Sequence, residues 1–277
     1  MPVRRRRSPR VRARIGKPVV ATIAVFYHAR TRLDVPLEKL VPALQHFLDR
    51  HFVPVWGTPA KLVRTREFRK GWWALGFFET ERHAAAEGYH DVTPDGLPFA
   101  RVFLKDTLAN HDQISVTASH ELAEMLVDPA VNMEVARSER VLYDYEVADP
   151  VEADTFLVDG IAMSDFVYPA WFEPFHRPGS TTFDHCKKLR RPFQIRRDGY
   201  ARRFRGGKWK EVFGSHQKAL RFARENRAGH RTTQRQRRNR LERSKPRRPR
   251  PRDRAHGTMA ASRGRSAWAD STTRWRS

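Results

Sequence analysis

Apolar residues change their period several times along this chain, and each change predicts an element. Residues 19–27 (VVATIAVFY) form a continuous run rich in β-branched and aromatic side chains, which predicts a buried strand. After Pro36, the residues Leu37, Leu40, Val41, Leu44, Phe47 and Leu48 recur at helical spacing. Asp34 stands near the expected cap of that helix, and Pro42 puts its first turns in question. Residues 61–67 and 72–78 predict two strands joined by a short basic connection, and the polar, Ala-rich stretch at 79–88 predicts a loop or short helix. Thr93-Pro-Asp-Gly96 is a turn signal, and residues 99–104 predict the next strand.

The second half is more broken. Ile114–Val127 carries the best helical pattern after the first helix, and residues 141–146 are expected to be extended. Residues 155–159 and 161–167, on either side of Gly160, predict a hairpin. Asp198-Gly199, between 193–197 and 200–204, gives the strongest hairpin signal in the chain. Apolar periodicity fails from about Ser215, apart from a helical pattern over 216–227, so the remainder is expected to be disordered.

The candidate chemistry sits on the helix at Ile114–Val127. Advancing 100° per residue, Ala118, Leu122, Met125 and Leu126 share one face, and His120, Glu124 and Asp128 share the opposite one, with Glu121 at its edge. An i, i+4 pair such as His120 and Glu124 projects in one direction at a separation that lets both side chains reach one metal ion. Glu121, directly after the histidine, then stands where it can take a proton from a water on that metal. The alternative is the solvated face of an ordinary amphipathic helix, with Asp128-Pro129 ending it. His90 precedes a tight turn; it is expected either to hydrogen-bond the loop backbone or to line a cleft and donate to a developing oxyanion. Trp56, Trp72, Trp73 and Trp171 are explained by core packing, and His185-Cys186 lacks ligand spacing.

Composition divides the chain in three. Of 277 residues, 54 are Lys or Arg and 31 are Asp or Glu, a net charge of +23. Residues 1–17 hold eight basic and no acidic groups; residues 18–186 hold 15 basic against 25 acidic; residues 187–277 hold 31 basic against six acidic. The basic character therefore belongs to the ends, and an acidic globular piece lies between them. The expected organisation is a basic disordered tail at 1–17, a globular domain at 18–214, and a basic, mostly disordered tail at 215–277. Nonspecific nucleic-acid binding is expected of the tails alone, with steep salt dependence. The single cysteine excludes an intrachain disulfide framework, and no apolar run reaches the roughly 20 residues of a membrane span. The basic start lacks a long apolar segment and a cleavage site, so a soluble, cytoplasmic protein is expected.

His120-Glu-Leu-Ala-Glu124 resembles the active-site helix of zincin metallopeptidases, with Glu in place of the second His. Four stretches also resemble a family of bacterial and phage proteins of unassigned function: Phe52-Val-Pro-Val-Trp-Gly57, Gly88-Tyr-His-Asp-Val-Thr-Pro-Asp-Gly96, Ser119-His-Glu-Leu-Ala-Glu124 with Asp128-Pro129, and Ser164-Asp-Phe-Val-Tyr-Pro-Ala-Trp-Phe172. The zincin resemblance implies an α+β fold, with a mixed or antiparallel sheet packed on the active-site helix and residues 99–104 as the edge strand along a peptide groove. It implies zinc, with the oxygen-rich set leaving Mn, Fe or Ca open, and an amide in a peptide or protein as substrate. In the gluzincin branch a downstream Glu completes the ligand set. Here that implies Glu146, with Asp149 as competitor, and one of the two could instead hydrogen-bond His120 Nδ1. The competing function is a nonenzymatic metal-binding domain attached to nucleic acid by its tails.

The charge division generates a test. A chain lacking residues 1–16 and 230–277 should keep the thermal transition of the full chain; loss of cooperative unfolding on truncation would show that the tails pack on the domain.

Overall fold

In the computed structural model, residues 20–81 and 86–224 are described. The first apolar run forms β1 (Ala21–His28), whose Ile23, Ala24, Val25 and Phe26 are all buried, as expected of a parallel strand covered on both faces. β2 (Ala60–Arg64) and β3 (Trp73–Phe78) are neighbours in sequence but not in space: both run parallel to β1, on opposite sides of it. β3 pairs in parallel with β5 (Pro98–Phe103), and β5 pairs antiparallel with β4 (Gly88–Val92), giving a mixed five-stranded sheet in the order β2-β1-β3-β5-β4. The expectation that residues 99–104 form the edge is overturned. That segment is enclosed by β3 and β4, and the edge is β4, whose GYHDV is too short and polar to read as a strand in sequence.

α1 (Leu37–Phe47) runs through Pro42, whose ring faces solvent and displaces no core side chain. Asp34 does not cap it; its carboxylate accepts the Val35 N–H. A wider helical turn at Leu48–Phe52 leads to α2 (Val53–Trp56), which ends at Gly57 with φ 68°, a left-handed conformation suited to glycine. α3 (Leu104–Ala109) follows β5 directly, and α4 (Ile114–Val127) follows α3.

A second sheet is antiparallel, in the order β11-β10-β7-β6, from β6 (Glu134–Ser138), β7 (Val141–Asp144), β10 (Tyr200–Arg205) and β11 (Lys208–Phe213). The hairpin of β8 (Thr155–Val158) and β9 (Ile161–Ser164) forms where expected: Asp159 and Gly160 both take positive φ, 52° and 80°, as a two-residue turn of this hand requires. The hairpin expected at Asp198-Gly199 does not form. β10 instead turns at Gly206-Gly207, where φ is 61° and 79°, and pairs with β11. Gly199 serves another purpose, since a Cβ there would stand 2.3 Å from the Pro150 carbonyl oxygen. It lets the chain pass close over the segment at Asp149.

The folded unit also continues beyond residue 214. α5 (His216–Arg224) buries Phe222 against the rings of Tyr200 and Phe213, and Lys218 pairs with Glu152. The expected tail at 1–17, and the part of the expected 215–277 tail from residue 225 onward, lie outside the described residues. Among the described residues no helix is long and apolar enough to cross a membrane. The core joins α1, α4 and the first sheet to the aromatic residues Phe166, Trp171, Phe172, Phe183 and Phe193. Trp171 and Trp56 pack as expected, each donating its indole N–H to a backbone carbonyl, of Gln194 and Val167 respectively.

Two buried aspartates hold the long segment between β9 and β10. Asp165 accepts the N–H groups of Phe166 and Cys186, and Asp184 those of Lys188 and Leu189. Burial, and then the neighbouring Asp184, push Asp165 up to about 8. An unfolded aspartate titrates near about 4, so between those values the folded chain holds a proton that the unfolded chain has lost, and stability falls as pH rises. Asp165→Asn keeps an oxygen acceptor and removes the titration. Thermal unfolding between pH 5 and pH 8 should therefore show a decline in the wild type that is flatter in the variant; identical slopes would contradict this.

Candidate metal centre

α4 is wedged between β4 and β5 on one side and the β8–β9 hairpin on the other. The Ser164 N–H donates to Ser119 Oγ at 2.8 Å, tying the hairpin to the helix. Every residue of α4 except Val116 is buried. The solvated-face reading therefore fails: the side of the helix bearing His120, Glu121 and Glu124 points into the protein. Burying a carboxylate is worth several kcal/mol of lost solvation unless positive charge or donors replace the water.

Three other segments complete the cluster. β4 brings His90, opposite Ala100 of β5. The turn after β7 brings Glu146, and a short 3₁₀ turn, Asp149–Val151, brings Asp149. His120 Nε2 lies 3.3 Å from Glu124 Oε1 and 3.3 Å from Asp149 Oδ1. His90 Nδ1 lies 3.7 Å from Glu124 Oε2 and 3.7 Å from Glu121 Oε2, and its Nε2 lies 4.0 Å from Glu146 Oε2. Two donor groups thus form, His120–Glu124–Asp149 and His90–Glu124–Glu146, each with one donor atom per residue within 4.8 Å of the others. Glu124 belongs to both. It also accepts the Ala148 N–H at 3.3 Å, which holds the segment bearing Glu146 and Asp149 against the helix.

The carboxylates draw positive charge into this space. Burial disfavours a charged His90 ring, but Glu146, Glu121 and Glu124 override it and raise the group to about 9. At His120 burial is likewise overridden, by Glu124 and Asp149 above all, and the group rises well above its ordinary value.

A cavity of about 350 Å³ opens onto one side of the cluster. His120, Glu121, Thr117 and Gly88 of β4 line it, with Lys218 and Arg221 from α5 on the far wall. His90, Glu124 and Glu146 lie behind it. Gly88 is needed here, since a Cβ would meet Glu121 Cγ at 2.7 Å and the Arg101 carbonyl oxygen at 2.9 Å.

Of the residues singled out in sequence, the structure brings His120, Glu121, Glu124, Glu146, Asp149 and His90 into one cluster. Their grouping differs from the expected one. Asp149, not Glu146, stands beside His120, and it faces Nε2, so the expected hydrogen bond to Nδ1 is not made by it. Glu146 belongs with His90. His90 does not hydrogen-bond the loop: it is 2% exposed, it does not line the cavity, and among the described residues neither ring nitrogen has a hydrogen-bond partner. Asp128 does end α4, accepting the Asn132 and Met133 N–H groups. Sequence reasoning missed Gly88 and Ser119, whose roles depend on contacts distant in sequence, and Lys218, which lies in the stretch read as tail.

Gly88→Ala should displace Glu121 or the β4–β5 pairing and lower unfolding free energy by about 1–3 kcal/mol, the usual effect of overpacking. Denaturant unfolding measures this, and an unchanged midpoint would show that Glu121 has room to yield.

In comparisons with known proteins, no family model, no curated protein and no solved structure matches this chain.

Proposed function

We propose that the chain is a metal-dependent hydrolase acting on an amide in an extended peptide, with a zincin-like site. The observation that carries this reading is the pair of 3.3 Å separations from His120 Nε2 to Glu124 Oε1 and Asp149 Oδ1. Ligands about 2.1 Å from a tetrahedral zinc are about 3.4 Å apart, so Glu124 and Asp149 each stand at ligand spacing from His120, and the three donor atoms lie within 4.8 Å of one another. The charge supports the same conclusion. His90 and His120 stand among the buried carboxylates of Glu121, Glu124, Glu146 and Asp149, with Asp128 close by, a setting that favours positive charge.

A metal held by His120, Glu124 and Asp149, zinc by preference, would supply a Lewis acid for a carbonyl oxygen and acidify water. The protein's own groups do the rest. Glu121 lines the cavity, next to the His120 group, where its carboxylate can take a proton from the attacking water and pass it to the leaving nitrogen. β4 is the antiparallel edge of the sheet, and its Gly88 lines the same cavity, so an extended substrate added along that edge would run past His120 and Glu121.

The test is elemental analysis of the purified chain together with hydrolysis of an unstructured protein. His120→Ala should lose metal and turnover together. Glu121→Gln should keep the metal and lose turnover by roughly 10²-fold or more. Metal retained by the wild type with no hydrolysis of any peptide would favour a nonenzymatic metal-binding domain, and equal metal content in all three chains would end the metal reading.

A further inference from the structure

We infer that the centre holds two cations, the second bound behind the first by His90, Glu124 and Glu146, with Glu124 bridging the two. The inference rests on the metal reading above and extends it to a position that the HExxE helix does not itself contain.

The first observation is His90. Its ring is sealed from solvent, and among the described residues neither nitrogen has a hydrogen-bond partner, although three carboxylates surround it at 3.7–4.0 Å. That is too long for hydrogen bonds and leaves space among the donors, as a ligand cluster does. The second is Glu124. Its two oxygens are turned to different histidines, Oε1 to His120 and Oε2 to His90, and it is the one residue the two donor groups share. Each group otherwise has its own imidazole and its own carboxylate.

This accounts for the residue that departs from the zincin pattern. A neutral imidazole has one free nitrogen lone pair and serves one cation. A carboxylate has two oxygens and can serve two. Glu at 124 in place of His is therefore what permits a bridge, and a bridging carboxylate divides its charge between two cations. The outer one, beside the cavity, keeps more Lewis acidity than it would with Glu124 to itself. Mixed imidazole and carboxylate donors suit Zn, Mn, Fe or Co rather than a soft thiophilic ion.

The test uses the full chain, stripped with chelator and titrated with Mn²⁺. Bound metal is measured by equilibrium dialysis with elemental analysis, and the loaded protein is examined by electron paramagnetic resonance. The wild type should bind two equivalents and show the spectrum of an exchange-coupled pair. His90→Ala should bind one, with the coupling lost. If that variant does not fold, the wild-type spectrum decides, because two ions sharing a carboxylate are coupled and isolated ions are not. One equivalent in the wild type, or two without coupling, overturns the bridged pair while leaving a single catalytic metal intact. Zero equivalents overturns the metal reading itself, so the two failures are distinct.

Discussion

Glu121, Glu124, Glu146 and Asp149 are buried together with two imidazoles beside the cavity, and the arrangement around α4 depends on how that charge is held. Glu124 and Asp149 are fully buried, and Glu121 and Glu146 nearly so. In water each carboxylate would be solvated at no cost to the fold. Inside, each needs donors or a cation, and removing a partner is worth more than the partner's presence suggests, because it leaves an uncompensated buried charge. The helix, the edge strand and the segment from Glu146 to Asp149 are therefore coupled through electrostatics as well as packing.

The surrounding structure can be understood as the means of placing those groups. The parallel strands β1, β3 and β5 form an apolar platform, and β4 adds an antiparallel edge whose Gly88 and His90 reach the helix from above. The β8–β9 hairpin closes the other side, with Ser119 and Ser164 joining it to α4. Gly199 allows the chain to approach Pro150 closely, and Arg196 donates its backbone N–H to the same carbonyl, which fixes the turn carrying Asp149. Lys218 of α5, paired with Glu152, forms part of the cavity wall. The site lies between α4, β4 and the segment from Glu146 to Asp149, and the cavity beside it is lined by Gly88 of β4 and by Lys218 and Arg221 of α5.

Much of this was legible in the sequence where the signal is local. The buried strand β1, the helices α1 and α4, and the Asp159-Gly160 hairpin follow from period, apolar content and turn chemistry. The i, i+4 relation of His120 to Glu124 is a property of the helix alone. What was not legible depends on partners far along the chain. β4 and β6 are short and mostly polar, and they are strands because β5 and β7 present an edge to them. Asp198-Gly199 has the composition of a hairpin turn, but the close contact with Pro150 claims the glycine, and Gly206-Gly207 supplies the turn. The polar face of α4 resembled a solvated surface because sequence gives the helix's own period and not what covers it. That Asp149 and not Glu146 stands beside His120 follows from the 3₁₀ turn at Asp149, which no periodicity marks.

Whether divalent cations compensate the buried carboxylates is tested most directly by unfolding free energy as a function of free Zn²⁺. A ligand that binds only the folded chain stabilises it by about 1.4 kcal/mol for each tenfold rise in concentration above its dissociation constant, for each site. Such a rise is expected, from a low value in chelator to a higher one in metal. Unfolding free energy that stays the same from chelator to millimolar Zn²⁺ would contradict it.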